Sequence, residues 1–536
     1  MTGWEPATAQ ADLIIGLDVG TTAAKATAFR VGGTGEIVAL AVAEYPLMQP
    51  RPGQQTQDPE TVVAACQGAL RRVVSEVGAE NVLALSCSTA MHALVGLDAD
   101  YRPLTPLITW ADARATDQAR NLILTGQARE LHQRSGTPVH PMSPLVKLMW
   151  FADNESQLCR RVRWWLDLKG WLLCNLTGEV VMDLSSASGT GLLDLTTRDW
   201  WPATLDLAGV SSEQAPPVVS TTFVMSLAAA PARAVGLPAG LPVISGAGDG
   251  PLGNLGTGAL EPGVGGLSLG TSGSLRTVVD EPDIDPDGRL FCYALTEDAW
   301  VVGGAISNGG IVARWTLNLL GIAEDEELAQ LAARVPAGAE GLVMIPMLLA
   351  ERAPLWDPTL RGSFLGVRHH HGRRHFARAT MEGVALQLSA IADSLAEFGP
   401  LSSVRATGGV FRSPLWATVL AGVLDLTLFV TSAAGGSALG AAALGALALD
   451  RAPDLKSALL LMDPHAMDAR ETDMVRVDQQ DVLTYRAMRA DIEELLAEQS
   501  RIAKLFRRRD RAFSALSRGY SATPGKTDTR RVLGGG

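Results

Sequence analysis

One short pattern occurs twice, and it limits the architecture more than any other feature of the chain. Leu13 to Leu17 is an apolar strand that runs into Asp18-Val19-Gly20-Thr21-Thr22, and Ala23 to Val31 is a second apolar run. Strand, tight polar turn and strand predict a hairpin. Gly266 to Val279 repeats the order, with Gly270-Thr271-Ser272-Gly273 at its turn. Gly20 and Gly270 stand 250 positions apart. The recurrence predicts two similar domains, each opening with a Gly-Thr hairpin. Length agrees, because 536 residues exceed what one core supports.

Between and after the hairpins, helical and strand-like runs alternate, which predicts an α/β protein. Helical patterns cover Pro59 to Val77, Ala113 to Ser135, Pro144 to Asp153, Arg374 to Leu395 and Pro414 to Leu424. Apolar runs at Val82 to Ser86, Leu94 to Leu97, Trp300 to Val302, Leu342 to Ile345 and Val404 to Thr407 read as strands. Gly303 to Gly310 reads as a glycine-rich segment before a helix from Ile311. Ala433 to Asp450, rich in Ala and Gly, reads as a closely packed helix. The expected divisions are 11–244, 245–460, a helical segment 461–516 built on one long amphipathic helix from Asp481, and a disordered basic tail 517–536.

Charge narrows the partners. The formal net charge is −12, yet the last 36 residues hold ten Lys or Arg against two Asp or Glu. The remainder carries 35 basic and 55 acidic residues. So acidic a body is a poor match for nucleic acid, and any anionic ligand must be held by local donors. Five scattered cysteines without a C-x-x-C pair predict reduced thiols and a cytoplasmic protein. No segment offers the roughly 18 apolar residues of a membrane span, and the first twelve residues lack a signal-peptide pattern.

Gly-Thr turns suit phosphate. Glycine lets the backbone approach closely, and successive turn amides form a nest for an anion. Asp18 is suited to a hard divalent cation, and Lys25 to a phosphate as a point charge. Val243 to Gly250 reads as a strand running into glycines around one acid, Asp249. A carboxylate at a strand end facing a cleft can take the proton from an attacking hydroxyl; an Asx-type turn explains it equally well. Met91-His92 and Thr109-Trp110-Ala111-Asp112-Ala113-Arg114 offer an apolar wall and hydrogen-bonding groups for a polyol, though each residue alone suits a structural role. His369-His370-His371 lies between two glycines and reads as a surface loop rather than a metal site. Gly525-Lys526-Thr527 lacks the glycine of a P-loop, because Tyr520 stands in its place. Gly246-x-Gly248 meets Pro251 where the dinucleotide fingerprint needs a third glycine.

Two longer stretches resemble the signatures of the FGGY carbohydrate kinases. One is Met142-Ser-Pro144-Leu-Val-Lys147-Leu-Met-Trp150-Phe-Ala-Asp-Asn154. The other runs from Gly362-Ser-Phe-Leu-Gly366-Val367 to His375-Phe-Ala-Arg-Ala-Thr-Met-Glu382-Gly383. With the Asp18 turn and Gly246-Ala-Gly248-Asp249, the resemblance covers about residues 11 to 460. It implies two actin-like domains of the ribonuclease H type, with a cleft that closes on ATP and sugar. It also implies Asp249 as general base, and Asp18, Gly20, Thr21 and Thr22 for Mg²⁺ and phosphate. Gly270, Thr271 and Ser272 then serve the ATP phosphates, and Gly310, Gly409, Val410 and Ser413 line the nucleotide. Met91, His92, Trp110, Asp112 and Asp249 match the sugar pocket. The family allows a homodimer.

Within the family, Met91-His92-Ala-Leu-Val, Ile108 to Arg114, Gly136-Thr-Pro-Val-His140 and Val302 to Gly310 are most similar to bacterial gluconokinases. Xylulokinases share Met-His but differ around Trp110 and His140. Glycerol kinases carry Arg-Glu at the Met91-His92 positions, which sets glycerol aside. A gluconate pocket needs a cation or a donor cluster for the carboxylate; Arg114, His140 and Lys147 are the candidates, though each also suits a structural role, Lys147 above all because it recurs across sugar kinases of differing substrate. The expected activity is ATP-dependent phosphorylation of D-gluconate to 6-phosphogluconate. A pentulose or polyol kinase is the alternative, and a non-catalytic sugar or nucleotide binder the remote one.

Overall fold

A computed structural model describes residues 12–431 and 436–520. Both Gly-Thr segments fold as hairpins at the centre of their own six-stranded sheets. The first sheet contains β1 (Leu13–Val19), β2 (Ala23–Arg30), β3 (Ile37–Glu44), β4 (Val82–Thr89), β5 (Val224–Ser226) and β6 (Pro242–Gly248). Its spatial order is β5-β6-β4-β1-β2-β3. The second contains β7 (Val264–Leu269), β8 (Gly273–Val279), β9 (Phe291–Ala294), β10 (Trp300–Ile306), β11 (Ser403–Thr407) and β12 (Thr427–Val430), in the order β9-β10-β8-β7-β11-β12.

The two sheets share one plan. In the first, β3-β2-β1 are mutually antiparallel and β4 and β6 run parallel to β1. In the second, β10-β8-β7 are antiparallel and β11 and β12 run parallel to β7. Three antiparallel strands followed by two parallel ones is the order implied by a ribonuclease H-type domain, and here it occurs twice. The parallel strands read as continuous apolar runs because both their faces are covered. Ile15, Leu17, Leu70 and Leu85 belong to one core, and Leu267, Leu269, Trp300 and Leu388 to the other.

Several helices position the cleft. They are α1 (Pro59–Val77), α2 (Thr116–Leu124), α3 (Gln127–Ser135), α4 (Pro144–Asn154), α5 (Leu168–Thr177), α6 (Leu184–Ser188), α7 (Asp249–Gly256), α8 (Gly310–Leu320), α9 (Arg373–Ala396), α10 (Pro414–Leu424), α11 (Gly436–Ala448) and α12 (Gln479–Tyr520). The start of α1 follows from Asp58, whose carboxylate accepts the Thr61 amide ahead of Pro59. Small residues in α11 permit contact at backbone distance. A Cβ on Gly440 would lie 2.1 Å from the Leu252 carbonyl oxygen of α7, and one on Gly16 of β1 2.2 Å from that of Ala438. Thus α11 bridges the second half of the chain to the first sheet.

Four boundaries differ from the sequence reading. Ala113 to Ser135 is two helices, because Gly126 adopts a left-handed φ of 80° between them. The strand at Trp300 continues to Ile306, so Gly303 and Gly304 belong to the sheet. A Cβ on Gly303 would meet the Leu275 carbonyl at 2.5 Å. The Ala/Gly helix starts at Gly436, with 433–435 outside the described residues. Helix α12 runs on through 517–520, part of the expected tail; the rest of that tail, 521–536, lies outside the described residues. No helix among the described residues is long and apolar enough to cross a membrane.

Candidate active site

The carboxyl ends of β1 and β6 and the turn before β8 converge on a cavity of about 390 Å³ between the two sheets. Its lining includes Asp18, Gly20, Thr21, Met91, His92, Trp110, Asp249, Ser272, Arg276 and Arg352. A second cavity of about 450 Å³, in the second half, is lined by Gly270, Thr271, Gly310, Gly409, Val410 and Ser413. Gly270 and Ser272 belong to one turn closed by the Gly270 amide donating to the Ser272 carbonyl at 2.9 Å, so the two cavities meet there.

Asp249 is the first residue of α7, immediately after β6. Gly246 makes that strand end possible. Its φ is 72°, and a Cβ would lie 1.7 Å from the Cys87 carbonyl oxygen. Ser185 Oγ of α6 accepts the Gly248 amide at 3.1 Å and fixes the backbone just before the carboxylate. Asp18 stands near the end of β1, where Ser88 Oγ donates to its Oδ1 at 2.9 Å. Burial raises the Asp18 carboxyl. Burial and then the Asp18 charge push Asp249 up to about 6, opposed by Arg276. A buried carboxylate beside the Gly20-Thr21 turn suits a hard divalent cation, which Asp18 would hold.

The sugar side is a braced wall. His92 has a left-handed φ of 63°, a conformation that persists only where its surroundings hold it. Lys147 Nζ donates to the His92 carbonyl at 2.6 Å and to the Thr109 carbonyl at 2.8 Å. His92 Nδ1 lies 2.8 Å from the Gly189 carbonyl, and its ring meets Tyr293 edge-on with centroids 5.4 Å apart. A neutral imidazole donating from Nδ1 keeps Nε2 as an acceptor for a hydroxyl. Trp110 Nε1 donates to Thr21 Oγ1 at 2.9 Å, so the wall also steadies the phosphate turn.

Several sequence candidates fall away from the wall. Asp112 and Arg114 neutralise each other: Arg114 Nε and Nη2 donate to the two carboxylate oxygens at 2.8 and 2.9 Å. Asp112 also accepts the Gln55 amide, and Arg114 stacks on Trp150 at 5.0 Å. His140 is buried and does not line the cavity. Its Nδ1 accepts the Met142 amide at 3.2 Å, and it meets Trp356 edge-on at 5.7 Å. Lys147 is consumed by its two carbonyls. Thr22 and Lys25 are exposed beside the turn and do not line the cavity.

Two wall residues were missed. Arg276 points from β8, and its only sequence signal is a lone charge inside an apolar strand. Arg352 lies over Trp110 at 4.8 Å, with Nε donating to Ser307 Oγ at 3.1 Å and Nη2 to the Ile306 carbonyl at 2.8 Å. It sits in an irregular segment where no periodicity marks it.

Burial pushes His92 and His140 down to about 3. An unfolded histidine takes a proton near pH 6.5, so each contributes stability above that pH that is lost as pH falls toward 3. Buried carboxylates with raised pKa values slope the other way, so the clean test is a difference. Relative to the parent chain, His140→Gln should gain about 1.4 kcal/mol of unfolding free energy for each unit below pH 6. Denaturant titrations at pH 6 and 5 measure it, and a constant difference would contradict the neutral imidazole.

Comparison with known proteins agrees with this geometry. Residues 13–256 match the N-terminal domain, and residues 265–449 the C-terminal domain, of the FGGY family of carbohydrate kinases. A gluconokinase from Bacillus subtilis is 36% identical over 80% of this chain and 85% of its own length. A ligand-bound xylulose kinase from Lactobacillus acidophilus superposes with a TM-score of 0.85 at 31% identity, covering 90% of this chain and 98% of that one. A gluconate kinase from the same organism gives 0.84 at 31% identity, with the same coverage. A doubled ribonuclease H-type plan, a carboxylate pair at the cleft and matches across both halves have one reading: the chain is a carbohydrate kinase of the FGGY family.

Proposed function

We propose that this kinase transfers the γ-phosphoryl of Mg-ATP to the terminal hydroxyl of D-gluconate, giving 6-phosphogluconate. The observation that carries the sugar-acid reading is the cavity wall, where two guanidinium groups, Arg276 and Arg352, face the space beside Asp249. Both are partly buried, with Asp249 and Glu351 supporting their charges, and their open N–H donors suit the carboxylate that a sugar acid brings. Similarity to gluconokinases supports the same substrate.

In this reading Asp249 accepts the hydroxyl proton. A carboxyl near 6 is ionised at neutral pH yet more basic than an exposed one. Met91, His92 and Trp110 orient the polyol. The Gly20-Thr21 and Gly270-Thr271-Ser272 turns approach the phosphates, and Gly310, Gly409, Val410 and Ser413 line the nucleotide. When bound at Asp18, Mg²⁺ would supply positive charge to the phosphate oxygens. Much of the rate then comes from positioning and charge stabilisation in a closed cleft.

Phosphorus NMR of the reaction with D-gluconate tests the reading. The expected product is a phosphomonoester coupled to two methylene protons. A phosphate on a methine carbon, or ADP with no phosphorylated acid, would refute it. Similarity to a xylulose kinase structure favours a neutral pentulose as the second reading, and that substrate brings no carboxylate to the open donors of Arg276 and Arg352.

A further inference from the structure

A gluconate pocket must hold a carboxylate, and the cations singled out in the sequence are already committed. Arg114 is paired with Asp112, Lys147 is bound to two carbonyls, and His140 is buried, uncharged and outside the cavity lining. Arg276 is in the opposite condition. Among the described residues its guanidinium has neither a hydrogen bond nor an ion pair, yet it is enclosed by the cavity and packed against Gly303 of β10. Arg352 spends Nε and one Nη2 proton on Ser307 and Ile306, which leaves three N–H donors uncommitted. The planar head is held in place by those bonds and by Trp110 beneath it.

The two guanidinium groups are close enough for the Arg352 charge to disfavour that of Arg276. Asp249 supports the Arg276 charge, and Glu351 and Asp249 support that of Arg352, but among the described residues neither carboxylate forms an ion pair with a guanidinium, so the forks stay open to a ligand. A carboxylate has the two oxygens needed to accept from both. We propose that Arg276 and Arg352 jointly bind the carboxylate of the sugar acid, and that this pair sets the enzyme's preference for acids over neutral sugars. The proposal rests on the gluconate reading above. A neutral polyol would leave the open guanidinium donors without a charged acceptor, so the pair favours the acid by gripping it. Both arginines belong to the half matched by the C-terminal family domain, whereas His92 and Trp110 belong to the N-terminal half. The carboxylate is therefore the part of the substrate that ties the nucleotide side of the cleft to the sugar side.

Arg276 also faces Asp249, so the test must separate carboxylate binding from an effect on the base. The probes are D-gluconate and D-gluconamide, in which a neutral amide replaces the carboxylate. Both are assayed with Mg-ATP on the full chain, as kcat/KM for the parent, Arg276→Gln, Arg276→Lys and Arg352→Lys, with circular dichroism melts confirming that each variant folds. The parent should prefer gluconate by roughly 100-fold, the size expected for a charge-assisted pair in an enclosed site. Arg276→Gln should bring the preference within about threefold, and either Lys variant should retain an intermediate preference near tenfold. An unchanged preference in Arg276→Gln, with both substrates slowed alike, would overturn the proposal and place Arg276 with Asp249 instead. Failure of the underlying reading looks different: the parent chain itself would turn over a neutral pentulose and neither probe, which sinks both.

Discussion

Asp249→Asn is expected to lower kcat by roughly 10²- to 10⁴-fold, the range for loss of a general base, while ATP affinity changes little. Asn keeps the shape of the side chain but cannot hold the hydroxyl proton. The residue starts α7 on the first cavity, whereas Gly310, Gly409, Val410 and Ser413 line the second. Asn removes the repulsion between Asp249 and Asp18 together with the attraction to Arg276, so the stability of the variant should stay close to that of the parent. A coupled ADP-release assay gives kcat, and calorimetry with Mg-ATP gives affinity. Loss of both together would mean that Asp249 is needed to assemble the nucleotide site, which contradicts a role confined to proton transfer.

Lys169→Met is expected to destabilise the fold by about 3–5 kcal/mol, the cost of breaking a buried ion pair from one side. Lys169 Nζ on α5 lies 3.0 Å from Asp183 Oδ2, and both side chains are completely buried. Asp167 is beside them; burial and then the Asp183 charge raise its carboxyl. Removing the single ammonium leaves two enclosed acids facing each other. Asp183 also caps α6 by accepting the Ser186 amide at 3.0 Å. That short helix supplies Ser185 to the Gly248 amide and Ser188 to the Ala294 amide of β9, so it touches both halves of the molecule. Damage should therefore reach the Asp249 backbone as well as the stability curve. Denaturant unfolding of Lys169→Met and of Lys169→Met/Asp183→Leu measures it, with the double variant losing less than the single one. A single variant within about 1 kcal/mol of the parent would show that the pair is not carrying the buried charge.

Local signals were readable where one short segment determines its own structure. The hairpins around Gly20 and Gly270 follow from apolar runs flanking a polar turn, and α1 from Asp58, Pro59 and the spacing of its apolar residues. The signature stretches led to the family for the same reason, because their residues are contiguous. What was not readable depends on distant partners. Asp112 and Arg114 suggested a polyol pocket, and only the fold shows that they satisfy each other. Lys147 suited a structural role better than a carboxylate, but the two acceptors that hold it arrive from 38 and 55 residues away. Arg276 and Arg352 carried little local signal, since a charge in a strand or loop becomes informative only when the opposite wall is in place. The break at Gly126 was missed because a periodic pattern passes across a single left-handed residue without interruption.

The reading of this enzyme as a sugar-acid kinase meets its most direct test in one comparison, kcat/KM for D-gluconate against D-xylulose with Mg-ATP in the same assay. A gluconate preference of at least roughly 100-fold is predicted, because the acid alone brings a carboxylate to the open donors of Arg276 and Arg352. Equal or faster turnover of xylulose would contradict it.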